Sequence, residues 1–149
     1  MFLLRNDPVG RDAPDITAED LTGNDFRLKD HRGQVVLVNF WATWCQPCTK
    51  EIPYLLESYP RLKGNGIVVI GISLDDNKSR LRQFIKKNTI PWRNLFSGKA
   101  WRDPIIRNWG VRGIPSIFLI GYDGRVLATN IRGPEKGVRL ILRDKLLVK

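Results

Sequence analysis

Two stretches of the chain are apolar almost without interruption: Val35-Val36-Leu37-Val38-Asn39-Phe40-Trp41 and Ile67-Val68-Val69-Ile70-Gly71-Ile72-Ser73-Leu74. Short runs of this kind, rich in β-branched residues, predict strands covered on both faces, over 34–41 and 67–74. Between them the period changes. Ile52, Leu55, Leu56, Tyr59 and Leu62 recur at helical spacing, which predicts a helix over most of 49–62. Pro53 removes a backbone donor inside that helix and should kink it. Pro60 should distort or shorten its end, and Gly64-Asn65-Gly66 should stop it.

The remaining pattern alternates the same way. Residues 1–13 are polar and rich in Pro and Gly, and read as a flexible lead-in or linker remnant ahead of one domain over 14–149. Ile16 to Leu21 and Phe26 to Leu28, joined by Thr22-Gly23-Asn24-Asp25, read as a hairpin. Lys29 to Gly33 reads as a polar turn. After the second apolar strand, Asp75-Asp76-Asn77 offers helix caps ahead of Leu81, Phe84 and Ile85. Trp92 to Phe96 reads as a short strand, 97–103 as loop, and Pro104 to Trp109 as one or two helical turns. Ser116 to Ile120 and Arg125 to Thr129 flank the turn Gly121-Tyr122-Asp123-Gly124 as a second hairpin, and Lys136 to Leu147 predicts a closing helix. Strand–helix–strand alternation requires parallel crossovers and the late hairpin adds antiparallel pairing. The fold class is therefore α/β, a mixed central sheet with helices on both faces.

At 149 residues the chain suits one hydrophobic core, and 42% hydrophobic with 27% charged residues is ordinary for a globular protein. No apolar run approaches the ~18 residues that read as a membrane span. The opening Met1-Phe2-Leu3-Leu4-Arg5 turns polar too soon for a secretory signal. A net charge of +10 suits an acidic partner, an anionic membrane surface or nucleic acid. No nucleic-acid-binding motif accompanies the charge, so it reads as solvated faces and no nucleic-acid partner is expected.

The two cysteines, Cys45 and Cys48, are the only ones in the chain, and they lie where the first buried strand delivers the chain to a helix. A thiolate is favoured at a helix N-terminus, where backbone N–H groups and the helix dipole attract negative charge. The two-residue spacer lets Cys48, one helical turn on, attack a mixed disulfide formed at Cys45. Cys45 is thus the expected exposed attacking thiol and Cys48 the more buried resolving one, with Gln46 and Pro47 tuning thiolate against disulfide. Zinc would need about four ligands, and only the distant His31 could join the cysteines. A purely structural disulfide across so short a loop removes little unfolded-state entropy.

The stretch Asn39-Phe40-Trp41-Ala42-Thr43-Trp44-Cys45-Gln46-Pro47-Cys48, followed by Glu51-Ile52-Pro53, resembles the active site of thioredoxin-fold proteins. It is most similar to the TlpA/ResA type, the extracytoplasmic thiol–disulfide oxidoreductases of bacteria. Arg32-Gly33, Gly71-Ile72-Ser73-Leu74-Asp75, Gly110-Val111-Arg112-Gly113-Ile114-Pro115 and Asp123-Gly124 extend the resemblance in the right order. It implies a thioredoxin-like fold with an N-terminal β-hairpin and a central helix–strand insertion. It makes Pro115 a cis-proline facing the cysteines, with Ile114 beside the disulfide. Trp44, Gln46, Pro47, Ile114 and Pro115 would then meet the substrate. Cytoplasmic thioredoxins carry an aspartate where this chain has Asn39, which cannot titrate. By resemblance Glu51, three residues after Cys48, would carry a proton to or from the thiols. The implied activity is exchange with protein thiols and disulfides, as a reductant in cytochrome c maturation or extracytoplasmic thiol maintenance. An upstream membrane or soluble donor would recharge it. No cofactor or metal is implied, and a monomer is expected.

Two other functions stay open at this level. Thiol peroxidases share the fold, but their Pro-x-x-x-Thr/Ser-x-x-Cys pattern is absent, since Val38 and Ala42 occupy the Pro and Thr/Ser places counted from Cys45. A non-catalytic binding module would have no use for an intact Cys-x-x-Cys.

Overall fold

The computed structural model of the protein describes residues 7–129 and 131. The closing helix expected over 136–147 lies outside the described residues. Two strands, β1 (Thr17–Glu19) and β2 (Asp25–Arg27), form an antiparallel hairpin. The described residues also build a five-stranded sheet from β3 (Val36–Trp41), β4 (Val68–Ser73), β5 (Arg93–Phe96), β6 (Ser116–Ile120) and β7 (Val126–Thr129), in the order β5-β4-β3-β6-β7. Pairing is parallel from β3 to β4 to β5 and antiparallel from β3 to β6 to β7. All six residues of β3 are buried, as its unbroken apolar run requires.

Three helices cross between the strands: α1 (Gln46–Gly64), α2 (Lys78–Asn88) and α3 (Pro104–Asn108). Adjacent residues of β3 point to opposite faces, and each meets an aromatic. Trp41 packs on Phe84 of α2 with ring centroids 5.6 Å apart, while Phe40 packs on Trp109, just after α3, at 5.7 Å. The helices α2 and α3 therefore lie on opposite faces of the sheet. Asn77 caps α2, its side chain accepting the Arg80 N–H at 3.0 Å.

Local structure departs from the pattern in three places. Helix α1 begins at Gln46 and continues past Pro60 to Gly64. Leu62 is fully buried and anchors the last turn, and the Asn65 side chain closes it by donating to the Arg61 carbonyl at 2.7 Å. The polar turn after β2 is a 3-10 helix over Leu28–His31, and the loop after β5 contains another over Ala100–Arg102. His31 is half-buried there, stacked on Phe26 with centroids 5.1 Å apart.

Both margins of the sheet meet chain from the N-terminal side. Asp20 bridges to Leu95 beside β5. Gly10 donates to the Val126 carbonyl at 2.8 Å, Val126 donates to Arg11 at 2.9 Å, and Ala13 donates to Gly124 at 3.0 Å.

The hairpin is pinned to β5 by charge. Arg93 reaches Asp20 at 3.0 Å, donates to the Asp25 carbonyl at 3.1 Å, and lies over the Phe26 ring at 5.3 Å. Burial alone would raise the Asp20 pKa. Hydrogen bonds from the Thr22 hydroxyl, the Asn24 and Thr22 N–H groups and Arg93 outweigh it, and hold the carboxyl at about 2. Because the folded value lies below the unfolded one, Asp20 stabilises the fold fully above about pH 4. That contribution disappears as pH falls toward 2. Acid titrations of stability should therefore show a steeper loss between pH 4 and 2 in the natural chain than in Asp20→Asn. Equal acid limbs would remove Asp20 from the account.

Candidate active site

The parallel register of β3 and β4 sets the site. Trp41 is level with Ser73, so the chain leaving β3 and the chain leaving β4 emerge side by side. The antiparallel neighbour β6 begins at the same end, with Ser116 opposite Phe40. The residues after β3, after β4 and before β6 thus converge on one end of the sheet, at the start of α1.

Cys45 is the N-cap of α1. Its backbone is extended, its carbonyl accepts the Thr49 N–H at 3.0 Å, and its Sγ accepts the Cys48 N–H at 3.3 Å. A sulfur at this place receives one of the free donors of the helix start together with the positive end of its dipole. Pro47, in the first turn, lacks only a donor that would find no partner there. Cys45 and Cys48 form a disulfide with their Cα atoms 5.2 Å apart. Cys45 is 6% exposed and Cys48 2%. The sulfur expected to be exposed is therefore only the less covered of two buried ones.

The Ile114–Pro115 peptide is cis, and the Ile114 carbonyl oxygen lies 3.7 Å from Cys45 Sγ. The structure brings Ile114 to Cys45, with Pro115 buried beside it. Trp44 stands out at 53% exposed, and Gln46 and Pro47 are exposed on the first turn of α1. Glu51 is half-buried one turn beyond Cys48, and among the described residues it forms no ion pair. Asn39 is 4% exposed on the middle of β3, and its Oδ1 has no hydrogen-bond partner among the described residues. Trp41, Trp92 and Trp109 are core residues, whereas Trp101 is 44% exposed.

The sequence places Asp75 among three candidate helix caps, but the structure does not use it as one. It is buried behind the turn that carries Cys45, bonded to Thr43 and Ser73. The signal was present: Ser73 and Asp75 are polar residues two apart at the end of an otherwise apolar run, and so on one face of an extended chain.

A strand-to-helix junction holding a disulfide at the helix cap, opposite a cis-proline, on a mixed five-stranded sheet, defines a thioredoxin-like thiol–disulfide oxidoreductase. Comparison with known proteins agrees. The AhpC/TSA family model matches residues 9–129, and the chain belongs to that family. The thiol–disulfide oxidoreductase ResA of Bacillus thuringiensis subsp. konkukian is 36% identical over 127 residues, covering 85% of this chain and 71% of the relative. ResA of Bacillus subtilis is 30% identical over 118 residues, covering 79% and 64%. Among solved structures, the thioredoxin domain of a thiol–disulfide oxidoreductase from Bacteroides vulgatus matches with a TM-score of 0.79 and 33% identity, over 86% of this chain and 91% of that one. A thiol:disulfide interchange protein from Bacteroides sp. matches with a TM-score of 0.80 and 30% identity, over 96% and 91%. Among the described residues no helix is long and apolar enough to cross a membrane.

Proposed function

We propose that the chain is a reductant of protein disulfides, working through Cys45 and Cys48 outside the cytoplasm. The observation that carries the assignment of roles is Cys45 at the N-cap of α1, its sulfur accepting the Cys48 N–H at 3.3 Å. The Cys45 thiolate attacks one sulfur of the partner's disulfide and releases the other as a thiolate. Cys48 then attacks Cys45 Sγ in the mixed disulfide and frees the partner's second sulfur. Two electrons pass to the partner, which becomes a dithiol, and the chain is left as the Cys45–Cys48 disulfide. Glu51 accepts the proton that Cys48 must lose. Trp44, Gln46, Pro47 and the Ile114–Pro115 backbone form the surface against which the partner lies.

The direction of electron flow, the extracytoplasmic setting and a part in cytochrome c maturation or thiol maintenance rest on the likeness to ResA-type oxidoreductases. An upstream membrane or soluble donor restores the dithiol, and the chain acts as a monomer. The test is a redox titration of the Cys45–Cys48 pair against glutathione. A reductant should titrate near or below thioredoxin's value of about −270 mV. A value near the −120 mV of a strong oxidant, also an approximate figure, would reverse the assignment.

A further inference from the structure

Asp75 is 2% exposed, and the exchange reaction described above makes no use of it. Its Oδ1 accepts the Thr43 hydroxyl at 2.5 Å and the Thr43 N–H at 3.2 Å. Its Oδ2 accepts the same N–H at 3.1 Å and the Ser73 hydroxyl at 2.6 Å. Ser73 Oγ in turn accepts the Asp75 N–H at 2.9 Å. Both carboxylate oxygens thus act as acceptors. Among the described residues no cation forms an ion pair with Asp75.

We propose that Asp75 is a positioning residue for disulfide exchange, clamping Thr43 and placing a carboxylate, without an ion-pair partner among the described residues, behind the turn that carries Cys45. This rests on Cys45 being the attacking sulfur. The clamp is mechanical first. Thr43 is held by both its amide and its hydroxyl, and only Trp44 separates it from Cys45. The Cys45 N–H donates to the Ala42 carbonyl at 3.2 Å and closes the turn. With both ends tied, the sulfur keeps its place between the start of α1 and the Ile114 carbonyl.

The second effect is electrostatic. The start of α1 favours the Cys45 thiolate, and a buried negative charge nearby opposes it. Among the described residues, the other charged side chains nearest to Cys45 in the elements around it are Lys50 and Glu51 on α1, Asp76 after β4, and Arg112 before β6. All are exposed or half-buried. Water and salt weaken their influence, while a carboxylate inside the protein is screened least. Asp75 therefore limits how far the helix stabilises the thiolate. A less stabilised thiolate makes the dithiol a better electron donor.

The test uses Asp75→Asn, Thr43→Val and Thr43→Ser in the full chain. Asp75→Asn removes the charge and keeps the shape. In the reduced protein, iodoacetamide alkylation of Cys45 as a function of pH should show a midpoint lower by about one pH unit. Equilibration with glutathione should move toward the dithiol by up to about tenfold, most at alkaline pH. Thr43→Val keeps the charge and removes a clamp donor. It should lower the high-pH plateau rate of exchange with a protein disulfide, and Thr43→Ser should restore it. An unchanged alkylation midpoint and glutathione equilibrium in Asp75→Asn would overturn the electrostatic role. A plateau rate in Thr43→Val equal to that of the natural chain would overturn the clamp. If Asp75→Asn does not fold, the Thr43 pair decides, since loss in Val without recovery in Ser also counts against the proposal. Failure of the natural dithiol to reduce any protein disulfide would instead strike the proposed function, and would be seen before any variant is compared.

Discussion

A Cys48→Ser variant, reduced and mixed with a disulfide-bearing protein, accumulates a covalent adduct through Cys45, and a Cys45→Ser variant accumulates none. The asymmetry follows from the positions of the sulfurs. Cys45 is the helix cap, receives the Cys48 N–H and faces the Ile114 carbonyl. Cys48 lies within the first turn of α1 and is the more deeply covered. With serine at 48 the first displacement still proceeds, but nothing attacks the mixed disulfide from within the chain. Turnover stops at one adduct per molecule, visible as a mass increase that dithiothreitol reverses. Equal trapping by both variants, or by neither, would contradict the assigned order of attack.

The largest expected effect on stability is at Gly71. This residue on β4 sits where the Trp41 Nε1–H donates to Asn94 Oδ1 at 2.9 Å, a hydrogen bond between buried side chains of β3 and β5. A methyl group on Gly71 would collide with the Asn94 carboxamide and come 2.9 Å from Trp41 Nε1. The strand cannot shift aside, because β4 is held by ladders on both sides. Gly71→Ala therefore forces the pair apart, adding overpacking to the loss of a buried hydrogen bond, for a destabilisation of about 3 kcal/mol. In an Asn94→Ala background the same substitution should cost less, because the nearer obstacle is gone and only Trp41 must still give way. Urea unfolding of the four proteins in the cycle measures this. Simple additivity would show that the collision is not the cause.

How much was legible in sequence varies with how local the cause is. Strands β3 and β4 follow from apolar runs too dense for a half-exposed surface. The late hairpin follows from its turn residues, and α2 from a string of possible caps ahead of Leu81, Phe84 and Ile85. The cysteine pair and its place before a helix need only the neighbouring residues. The placement of Asp75 is not legible in the same way. In the string Asp75-Asp76-Asn77 any of the three can cap a helix, and Asn77 does so. What separates Asp75 is that Trp41 pairs with Ser73, which brings Thr43 level with it across 32 residues of chain. That register is a property of the assembled sheet. The course of α1 past Pro60, by contrast, is legible in the helical spacing that includes Leu62 and in the stop at Gly64-Asn65-Gly66. Coverage of Cys45 also depends on a partner far along the chain, Ile114.

The bonds that tie Gly10, Arg11 and Ala13 to the Gly124–Val126 segment give the molecule a polarity. Val126 is level with Ile120, at the end of β6 away from Ser116 and the disulfide. A tether joined through the N-terminal residues therefore meets the domain at the pole opposite Cys45, about 20 Å away along the strands. Pulled or anchored from that side, the protein turns its reactive disulfide outward, away from whatever holds it.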